Sequence, residues 1–243
     1  MITRNPSLTE QVKAHLKERI VGGDFEEGRI PSETELATDL GVSRTTIRDA
    51  LSRLEHEGTI YRKQGAGTFV NEPGLQIKSR LEEIWSYEEV LTDHGYTPSV
   101  RVGKIRTEPA DEELAADLNL EPSEPVVVFE KLFLENDLPV VLTTNRIPER
   151  LVSVPIKAAD GKKPLYELLE DHCGRLLSYY LSEMIPVALG THEAEQLGVA
   201  RRTPSLNFEE IGFDQDNEPV VKATSFFRDD LLRFRLIRRK AGA

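Results

Sequence analysis

Cysteine is nearly absent from this 243-residue sequence, which contains a single one, Cys173. One cysteine can form neither an internal disulfide nor a multi-cysteine metal site. The five histidines are scattered, and HEAEQ at 192–196 lacks the second histidine of the H-E-x-x-H zinc motif. The G-x-S-x-G motif of serine hydrolases is missing too. These absences favour a protein that is not an enzyme and that uses no metal or cofactor.

Long hydrophobic runs are also missing. No apolar stretch approaches the roughly 18 residues of a membrane-spanning helix. The first residues, MITRNPSLTEQ, lack the apolar core of a secretion signal. With 39% hydrophobic and 30% charged residues, the composition is typical of a soluble globular protein. We therefore expect a cytoplasmic protein without membrane contact.

An excess of positive charge is the third missing feature. The chain has 31 Lys and Arg against 42 Asp and Glu, a formal net charge of −11. Residues 1–74 carry a net charge of −2 and residues 75–243 carry −9. A chain this acidic does not bind polyanions through its overall charge. Any contact with nucleic acid must come from a local basic face.

Three helical patterns fill the first part of the sequence. Apolar residues recur every four positions from Leu8 to Ile20. A short second helix is predicted after Ser32, because Glu35 stands three positions later in the capping-box arrangement. A third begins after Ser43, a favourable N-cap. Its buried stripe follows the i, i+3, i+4, i+7 rule and consists of Ile47, Ala50, Leu51 and Leu54. Helix, tight turn and helix in this order can lay the last helix in the DNA major groove.

After the third helix the pattern changes to two short β-rich runs, TIYRKQGAGTFV at 59–70. Gly65 and Gly67 supply the positive φ that a hairpin tip requires. Basic residues stand at the bend, so this hairpin predicts a wing that can reach DNA phosphates. Its GAG tip is not a dinucleotide-binding fingerprint, because Val70 stands in place of the third glycine and no helix opens there.

The segments PSETELATDLGVSRTTIRDALSRLEHEG and YRKQGAGTFV resemble the winged helix-turn-helix domain of GntR-type transcriptional regulators. The resemblance covers residues 8–70. It implies a repressor that binds double-stranded operator DNA. We expect a homodimer on a palindromic site, because one recognition helix and one wing cover about half a site. The DNA contacts that the resemblance implies are Ser43, Arg44, Thr45, Thr46, Arg48, Lys63, Gln64 and Gly65.

The remainder of the chain has an α+β pattern. NEPG at 71–74 is typical of a linker, so we expect a DNA-binding domain at 1–70, a linker at 71–76 and a larger domain at 77–243. Acidic turns, END and DQDN, join consecutive β-rich runs, which favours a mostly antiparallel sheet. Strands are predicted at 99–107, 124–135, 139–147, 176–187, 204–214, 218–228 and 232–239. Helices are predicted at 110–120, 164–174 and 191–199.

The larger domain also repeats itself. Phe129 and Glu130 recur as Phe208 and Glu209, an offset of 79 residues. After a slip of one residue, the P-V-V run at 139–141 recurs at 219–221. The repeated unit is helix, strand, acidic turn and strand. Two copies predict a sheet with approximate internal symmetry, whose halves could enclose a cleft.

Four segments of this domain, 84–102, 125–140, 145–151 and 217–230, resemble the UTRA effector-binding domain of the HutC branch. The resemblance spans about 75–240 and implies a chorismate-lyase-like fold, a cleft for a small-molecule effector and dimerisation. From it we select candidate effector-binding residues: Trp85, Ser86, Lys131, Thr143, Arg146, Tyr180, Glu183 and Phe227.

The same resemblance predicts the chemistry of the effector. Phe133, Val221 and Phe227 stand where phosphosugar-sensing relatives carry polar or charged side chains. A buried phosphate without such partners would be strongly penalised. Lys131 and Arg146 remain as cations, so we expect a carboxylate or a mixed apolar and anionic metabolite rather than a simple sugar phosphate.

Two other classes of function stay open at the level of the sequence. A lyase is suggested by analogy of fold alone, and no constellation of catalytic residues supports it. A metabolite-binding protein without DNA function would leave residues 43–48 and the basic hairpin unexplained.

Overall fold

The computed structural model describes residues 6–75 and 81–238. These residues form two compact units, one of residues 6–75 with 235–238 and one of residues 81–234. Within the described ranges, none of the helices is long and apolar enough to cross a membrane.

The first unit begins with three helices packed around one core. They are α1 (Leu8–Gly22), α2 (Glu33–Leu40) and α3 (Arg44–His56). Ser7, Ser32 and Ser43 each accept a hydrogen bond from a backbone N–H of the first turn. The capping box of Ser32 and Glu35 is formed as predicted. These caps satisfy backbone groups that a helix start leaves without partners, so even the two-turn α2 begins at a defined residue.

A small sheet completes the helix-turn-helix unit. Its strands are β1 (Arg29–Ile30), β2 (Ile60–Lys63) and β3 (Gly67–Val70), in the order β1-β3-β2. Antiparallel pairing of β2 and β3 closes the predicted hairpin, with Gly65 at a φ of 74°. The winged helix-turn-helix architecture predicted from the sequence is confirmed.

The stretch predicted as a linker is ordered at its start. Glu72–Leu75 forms a short helix, α4. The Asn71 side chain donates a hydrogen bond to the Gly58 carbonyl at 2.7 Å, and its backbone N–H donates to the Thr59 carbonyl at 2.9 Å. These two hydrogen bonds hold residues 71–75 against the segment that follows α3. The Asn71 side-chain amide takes the place of water as the partner of the Gly58 carbonyl. Residue 76 lies outside the described residues.

The second unit is a seven-stranded, wholly antiparallel sheet with helices on both faces. Its strands run in the order β4-β6-β7-β10-β9-β8, with β5 also paired to β6. The strands are β4 (Pro98–Val102), β5 (Arg106–Pro109), β6 (Pro125–Glu135), β7 (Leu138–Pro148), β8 (Leu177–Ala188), β9 (Pro204–Asp214) and β10 (Pro219–Phe227). The helices are α5 (Tyr87–Asp93), α6 (Glu112–Asp117), α7 (Leu165–Cys173) and α8 (Thr191–Leu197).

Strand alternation divides the side chains of this sheet between two faces. On β6, the even-numbered Val128 and Leu132 pack on the side of α6 and α8. The odd-numbered Phe129 and Phe133 pack on the side of α7 and α5. Away from the register shifts near Val140 and Val220, a residue number on β6, β7 or β10 therefore determines which layer the side chain joins.

The internal repeat predicted from the sequence is present as an approximate two-fold arrangement. The units α6-β6-β7 and α8-β9-β10 correspond, and β7 pairs with β10 at the centre of the sheet. Thr144 pairs with Thr224, its own counterpart 80 residues later. A residue that pairs with its repeat counterpart lies at the symmetry axis, so the axis passes between the two central strands.

Two sequence expectations differ from the structure, and one helix was missed. The strand predicted at 99–107 is two strands, because Gly103–Ile105 leaves the ladder and the Gly103 N–H donates to the Glu130 carbonyl at 2.9 Å. The strand predicted at 232–239 is absent from 232–238, where Leu232 and Phe234 insert singly into an apolar cluster. Residue 239 lies outside the described range. Helix α5 was not predicted at all.

Replacing Gly74 tests the packing of residues 71–75. A Cβ at this buried position would lie 1.9 Å from the Gly58 carbonyl oxygen, which is backbone and cannot easily move. We expect Gly74→Ala to destabilise the protein by about 1–3 kcal/mol, the usual cost of overpacking. Urea unfolding of the full chain measures this cost. The exposed Glu72→Ala is the control, and equal midpoints for both variants would show that the contact with Gly58 is absent.

Candidate nucleic-acid interface and ligand cavity

The start of α3 is held by two of the hydroxyl groups that the sequence singled out. Ser43 Oγ accepts a hydrogen bond from the Thr46 N–H at 3.1 Å. The two side-chain hydroxyls also bond each other at 2.8 Å. Ser43 and Thr46 are thus engaged in capping, which fixes the direction in which the helix N-terminus points.

Arg44, Thr45 and Arg48 are the exposed polar side chains of the same turn. Arg48 is held by Glu33 of α2, with Nη2 3.1 Å from a carboxylate oxygen. Arg44 has no hydrogen-bond or ion-pair partner among the residues that the structure describes. Its guanidinium is therefore available to an outside anion or a base edge.

The wing tip lies next to this turn. Lys63, Gln64 and Gly65 are exposed and line a shallow cleft of about 340 Å³ together with Glu33. Since Glu33 also holds Arg48, the tip of the wing and the first turns of α3 border one surface. Glu33 thus links Arg48 of α3 to the three wing residues that the sequence selected from a separate segment.

Arg29 is a basic residue at this surface that the sequence interpretation missed. It stands on β1, and its Nε lies 3.7 Å from the position that a Cβ on Gly67 would occupy. Only the pairing of a two-residue strand with β3 brings it there. A run this short has no periodicity, so no sequence signal could have located Arg29.

A cavity of about 610 Å³ lies on the α5 and α7 face of the large sheet. Its floor is formed by β6, β7, β10, β9 and β8, and residues 81–88 and 164–166 form its walls. Five of the eight candidate effector-binding residues line it: Trp85, Ser86, Lys131, Thr143 and Tyr180. Ser86 is at the same time the N-cap of α5 and accepts a hydrogen bond from the Glu89 N–H at 3.1 Å.

Lys131 is the basic residue that lines this cavity, and it is only 3% exposed. Its Nζ donates to the Lys163 carbonyl at 2.7 Å and lies 3.9 Å from a Glu88 carboxylate oxygen. The ring of Phe133 is centred 5.0 Å from the same nitrogen. Burial lowers the pKa of Lys131, partly offset by the charge of Glu88.

Buried polar groups occupy the floor between the two central strands. Thr143 and Asn145 of β7 and Ser225 of β10 are at most 3% exposed. Asn145 Nδ2 donates to Thr143 Oγ1 at 3.2 Å. The buried Ser225 hydroxyl faces the Tyr87 hydroxyl of α5. Burial raises the pKa of Tyr87, and the interaction with Ser225 partly offsets this rise.

Glu210 stands on the opposite side of the floor from Lys131. It accepts a hydrogen bond from Ser182 Oγ at 2.7 Å, and burial raises its pKa. Tyr180 lies on the neighbouring strand over Gly212, where a Cβ would come within 2.9 Å of the tyrosine ring. Burial, followed by the nearby Glu210 charge, raises the pKa of the Tyr87 and Tyr180 hydroxyls.

The sequence interpretation missed Glu210, although a signal for it existed. Lys131 and Glu210 are separated by the same 79 residues that relate Phe129 to Phe208. Once Lys131 is placed in the cleft, the repeat places Glu210 there as well.

Three candidate effector-binding residues lie outside the lining of this cavity. Arg146 is even-numbered on β7 and lies on the opposite face of the sheet, where Nη1 donates to Thr224 Oγ1 at 3.4 Å. Glu183 is exposed and alternates away from the cavity-lining Ser182 and Met184. Phe227 is on the correct face but is buried in the aromatic cluster beside the cavity, 4.8 Å from Phe208.

Comparison with known proteins matches each unit separately. Residues 8–70 match the bacterial regulatory proteins of the gntR family, and residues 93–233 match the UTRA domain. The HTH-type transcriptional repressor NagR of Bacillus subtilis is 30% identical over 225 residues, which cover 92% of this chain and 91% of NagR.

Two further proteins are similar along most of the chain. The histidine utilization repressor of Pseudomonas putida is 32% identical over 191 residues, which cover 78% of this chain and 71% of the repressor. The crystal structure of YydK, a possible transcriptional regulator of Bacillus subtilis, matches with a TM-score of 0.75 over 96% of this chain and 99% of YydK. At 18% identity, this last match shows the shared fold.

Substitution of Arg44 tests the nucleic-acid surface. Because Arg44 is exposed and has no partner among the described residues, Arg44→Ala should weaken binding to a selected operator by about 1–3 kcal/mol and leave the melting temperature unchanged. A fluorescence-anisotropy titration of the full chain measures the affinity. Arg53→Ala, which removes the same charge from the last turn of α3, is the matched control. Equal affinities for both variants would rule out a role for Arg44.

Proposed function

This chain belongs to the GntR family of bacterial transcriptional regulators and contains a UTRA effector-binding domain, and we propose that it is a cytoplasmic, homodimeric repressor released from its operator by a small molecule. It regulates transcription through DNA binding by its helix-turn-helix unit. One observation carries the proposal: Arg44 and Thr45 are exposed at the start of α3, a helix that Arg48 links through Glu33 to the cleft at the wing tip.

In the proposed complex, the first turn of α3 enters the major groove. Arginine suits guanine, and a threonine offers a hydroxyl to phosphate and a methyl group to thymine. Thr45 and Arg48 extend this contact along the groove. Ser43 and Thr46 orient the first turn of α3 through the cap, and Gly65 shapes the tip of the wing. Lys63 and Gln64 reach the DNA backbone from the wing. Arg29 joins this set, because its side chain lies against Gly67.

We propose dimerisation through the outer edge of the large sheet. Strand β8 is an end strand, and no described strand pairs with its outer edge. Leu181 and Met184 of β8 are 60% and 51% exposed. A long edge strand with exposed apolar side chains invites pairing with another chain. Two copies joined there would offer two recognition helices to the two halves of a palindromic operator.

The cavity supports an effector site rather than an active site. Its volume of about 610 Å³ lies inside the range of small-molecule sites, roughly 300–1,000 Å³. The described residues contain no cluster of three or more metal-ligating side chains. Burial raises the pKa of the Cys173 thiol to about 11, which keeps it protonated and unreactive at neutral pH. We propose that the cavity binds its ligand without catalysing a reaction of it.

Binding to DNA itself is the first experiment. The full-length protein should retain a defined duplex from a randomised pool, and the selected site should be palindromic. Retention of no sequence, with a ligand still bound, would favour a metabolite-binding protein. Turnover of a bound ligand would favour a lyase.

The wing gives a second prediction. Lys63 is exposed at the hairpin tip, the part of the wing that we propose meets the DNA backbone. Lys63→Ala should weaken binding to all duplexes about equally and reduce the slope of log affinity against log salt concentration by roughly one unit. Gel shifts at several salt concentrations measure the slope. A loss confined to one operator sequence would mean that Lys63 reads bases instead.

Dimerisation gives a third prediction. Leu181→Lys should convert the dimer to monomers at micromolar concentration, because it places a charge in the proposed apolar interface. Sedimentation velocity measures the mass. Leu138→Lys, at another exposed leucine at the start of β7, is the matched control and should remain dimeric. A dimer of unchanged stability in Leu181→Lys would exclude the β8 edge as the interface.

A further inference from the structure

The cavity holds a buried lysine and a half-buried glutamate, charges of opposite sign, at equivalent positions of the internal repeat. Lys131 on β6 pairs with Thr143, and Thr143 pairs with Ser225. On the other side of the axis, Glu210 on β9 pairs with Ala223. Two strands therefore separate Lys131 from Glu210, and strand spacings of about 4.8 Å put roughly 14 Å between β6 and β9. The two side chains do not neutralise each other.

Their surroundings compensate these charges unequally. The Lys131 ammonium has the Lys163 carbonyl at 2.7 Å and Glu88 at 3.9 Å. Glu210 has the Ser182 hydroxyl, and no Lys, Arg or His side chain forms an ion pair with it among the described residues. A carboxylate that is partly withdrawn from water is penalised when no cation compensates its charge. Both carboxylate oxygens of Glu88 lack a hydrogen-bond partner among the described residues, but Glu88 has the Lys131 ammonium at 3.9 Å. Glu210 is thus the carboxylate of the cavity floor that has no cation beside it in the described parts of the chain.

The walls beside Glu210 are aromatic. Tyr180 lies diagonally across the neighbouring strand, and Tyr87 approaches from α5; the charge of Glu210 acts on both hydroxyls. Phe208, two residues before Glu210 on the same strand, also lines the cavity. A carboxylate surrounded by the faces and edges of aromatic rings is the environment in which proteins bind organic ammonium groups.

We propose that the effector carries a positively charged nitrogen, an amine or a quaternary ammonium, that binds Glu210 between Tyr87 and Tyr180. This inference rests on the proposed function, since it names the ligand class of the same cavity. The opposite end of the ligand reaches toward Lys131 across the polar floor of Thr143, Asn145 and Ser225. The sequence suggested an anion bound by Lys131 and Arg146. Since Arg146 lies on the other face of the sheet, such an anion would bind Lys131 alone, and the charge of Glu210 would stay without a partner.

The distance between the two charged side chains restricts the ligand further. Because two strands lie between Lys131 and Glu210, a ligand that reaches both needs a spacer longer than the single carbon of an α-amino acid. A compound with a terminal ammonium and a terminal carboxylate on a flexible chain satisfies both ends. Hexylamine carries the first group alone, and hexanoate carries the second group alone. These compounds are the natural probes.

The test is a thermal-shift titration of the full chain with hexylamine, 6-aminohexanoate, hexanoate and 1-hexanol. We expect the two ammonium compounds to raise the melting temperature by about 3 °C at ten times their Kd, and hexanoate and hexanol to leave it unchanged. Glu210→Gln should abolish the shift. Glu183→Gln, which removes an exposed carboxylate from β8 that points away from the cavity, should retain it.

Folding of the variant is controlled by its own unliganded melting temperature. Glu210 is half-buried, and glutamine keeps an oxygen that can accept the Ser182 hydrogen bond, so Glu210→Gln should leave that temperature nearly unchanged. Binding of hexanoate in preference to the ammonium compounds, failure of the ammonium compounds to bind the folded wild-type protein, or an unchanged shift in Glu210→Gln would each overturn the proposal.

Operator gel shifts with the same preparations separate this inference from the proposed function. If the chain binds its selected operator but the ammonium compounds leave the melting temperature unchanged, the ligand class is wrong and DNA binding stands. If the ammonium compounds bind through Glu210 but the operator stays bound, the site stands and effector-driven release is wrong.

Discussion

The pairing of Thr144 with Thr224 at the centre of the large sheet is the constraint on which the second unit depends. It fixes the register of β7 against β10, and antiparallel ladders carry that register outward to β6 and β9. A shift of one residue would exchange the two faces of a strand. The polar floor would then turn toward α6 and α8, and the apolar residues that hold those helices would line the cavity. Register, more than any single contact, decides which residues can meet a ligand.

The first unit depends on a different constraint, the definition of helix ends by hydroxyl caps. Ser43 bonds both the N–H and the hydroxyl of Thr46, so two of the proposed DNA-facing residues are occupied before any DNA is present. The capping hydroxyls are then less free to contact DNA directly, but the cap orders the turn that presents Arg44 and Thr45. Glu33 has a comparable role toward Arg48, because it holds the guanidinium in a single direction on the exposed surface.

Sequence reasoning predicted the architecture of both units well, because their signals are local or repeated. Caps, glycine turns and four-residue apolar spacing lie within a few positions of each other, and the 79–80 residue repeat revealed the symmetric sheet. The same reasoning placed Arg146 in the cleft, since charge and family position suggested it, yet strand parity puts it on the other face. Parity requires an exact strand register, which pattern alone does not supply. Arg29 and the apolar insertion of residues 232–234 depend on tertiary contacts that have no local pattern.

The repeat also explains why the cavity is polar at all. A perfectly symmetric sheet would place like residues on both sides of the axis, and two lysines or two glutamates facing one cavity would repel each other. With Lys131 in one copy and Glu210 in the other, the floor has a positive and a negative side. A ligand with charges of the opposite sign at its two ends would compensate both sides. A ligand can change DNA affinity only if it binds one conformation of the protein better than another. Because Tyr87 and Glu88 stand at the start of α5 while Lys131 and Glu210 stand on the sheet, a ligand between them would bias the position of α5 on the sheet. Through such a shift of α5, a ligand that compensates the charges in the cavity could favour one conformation of this unit over another.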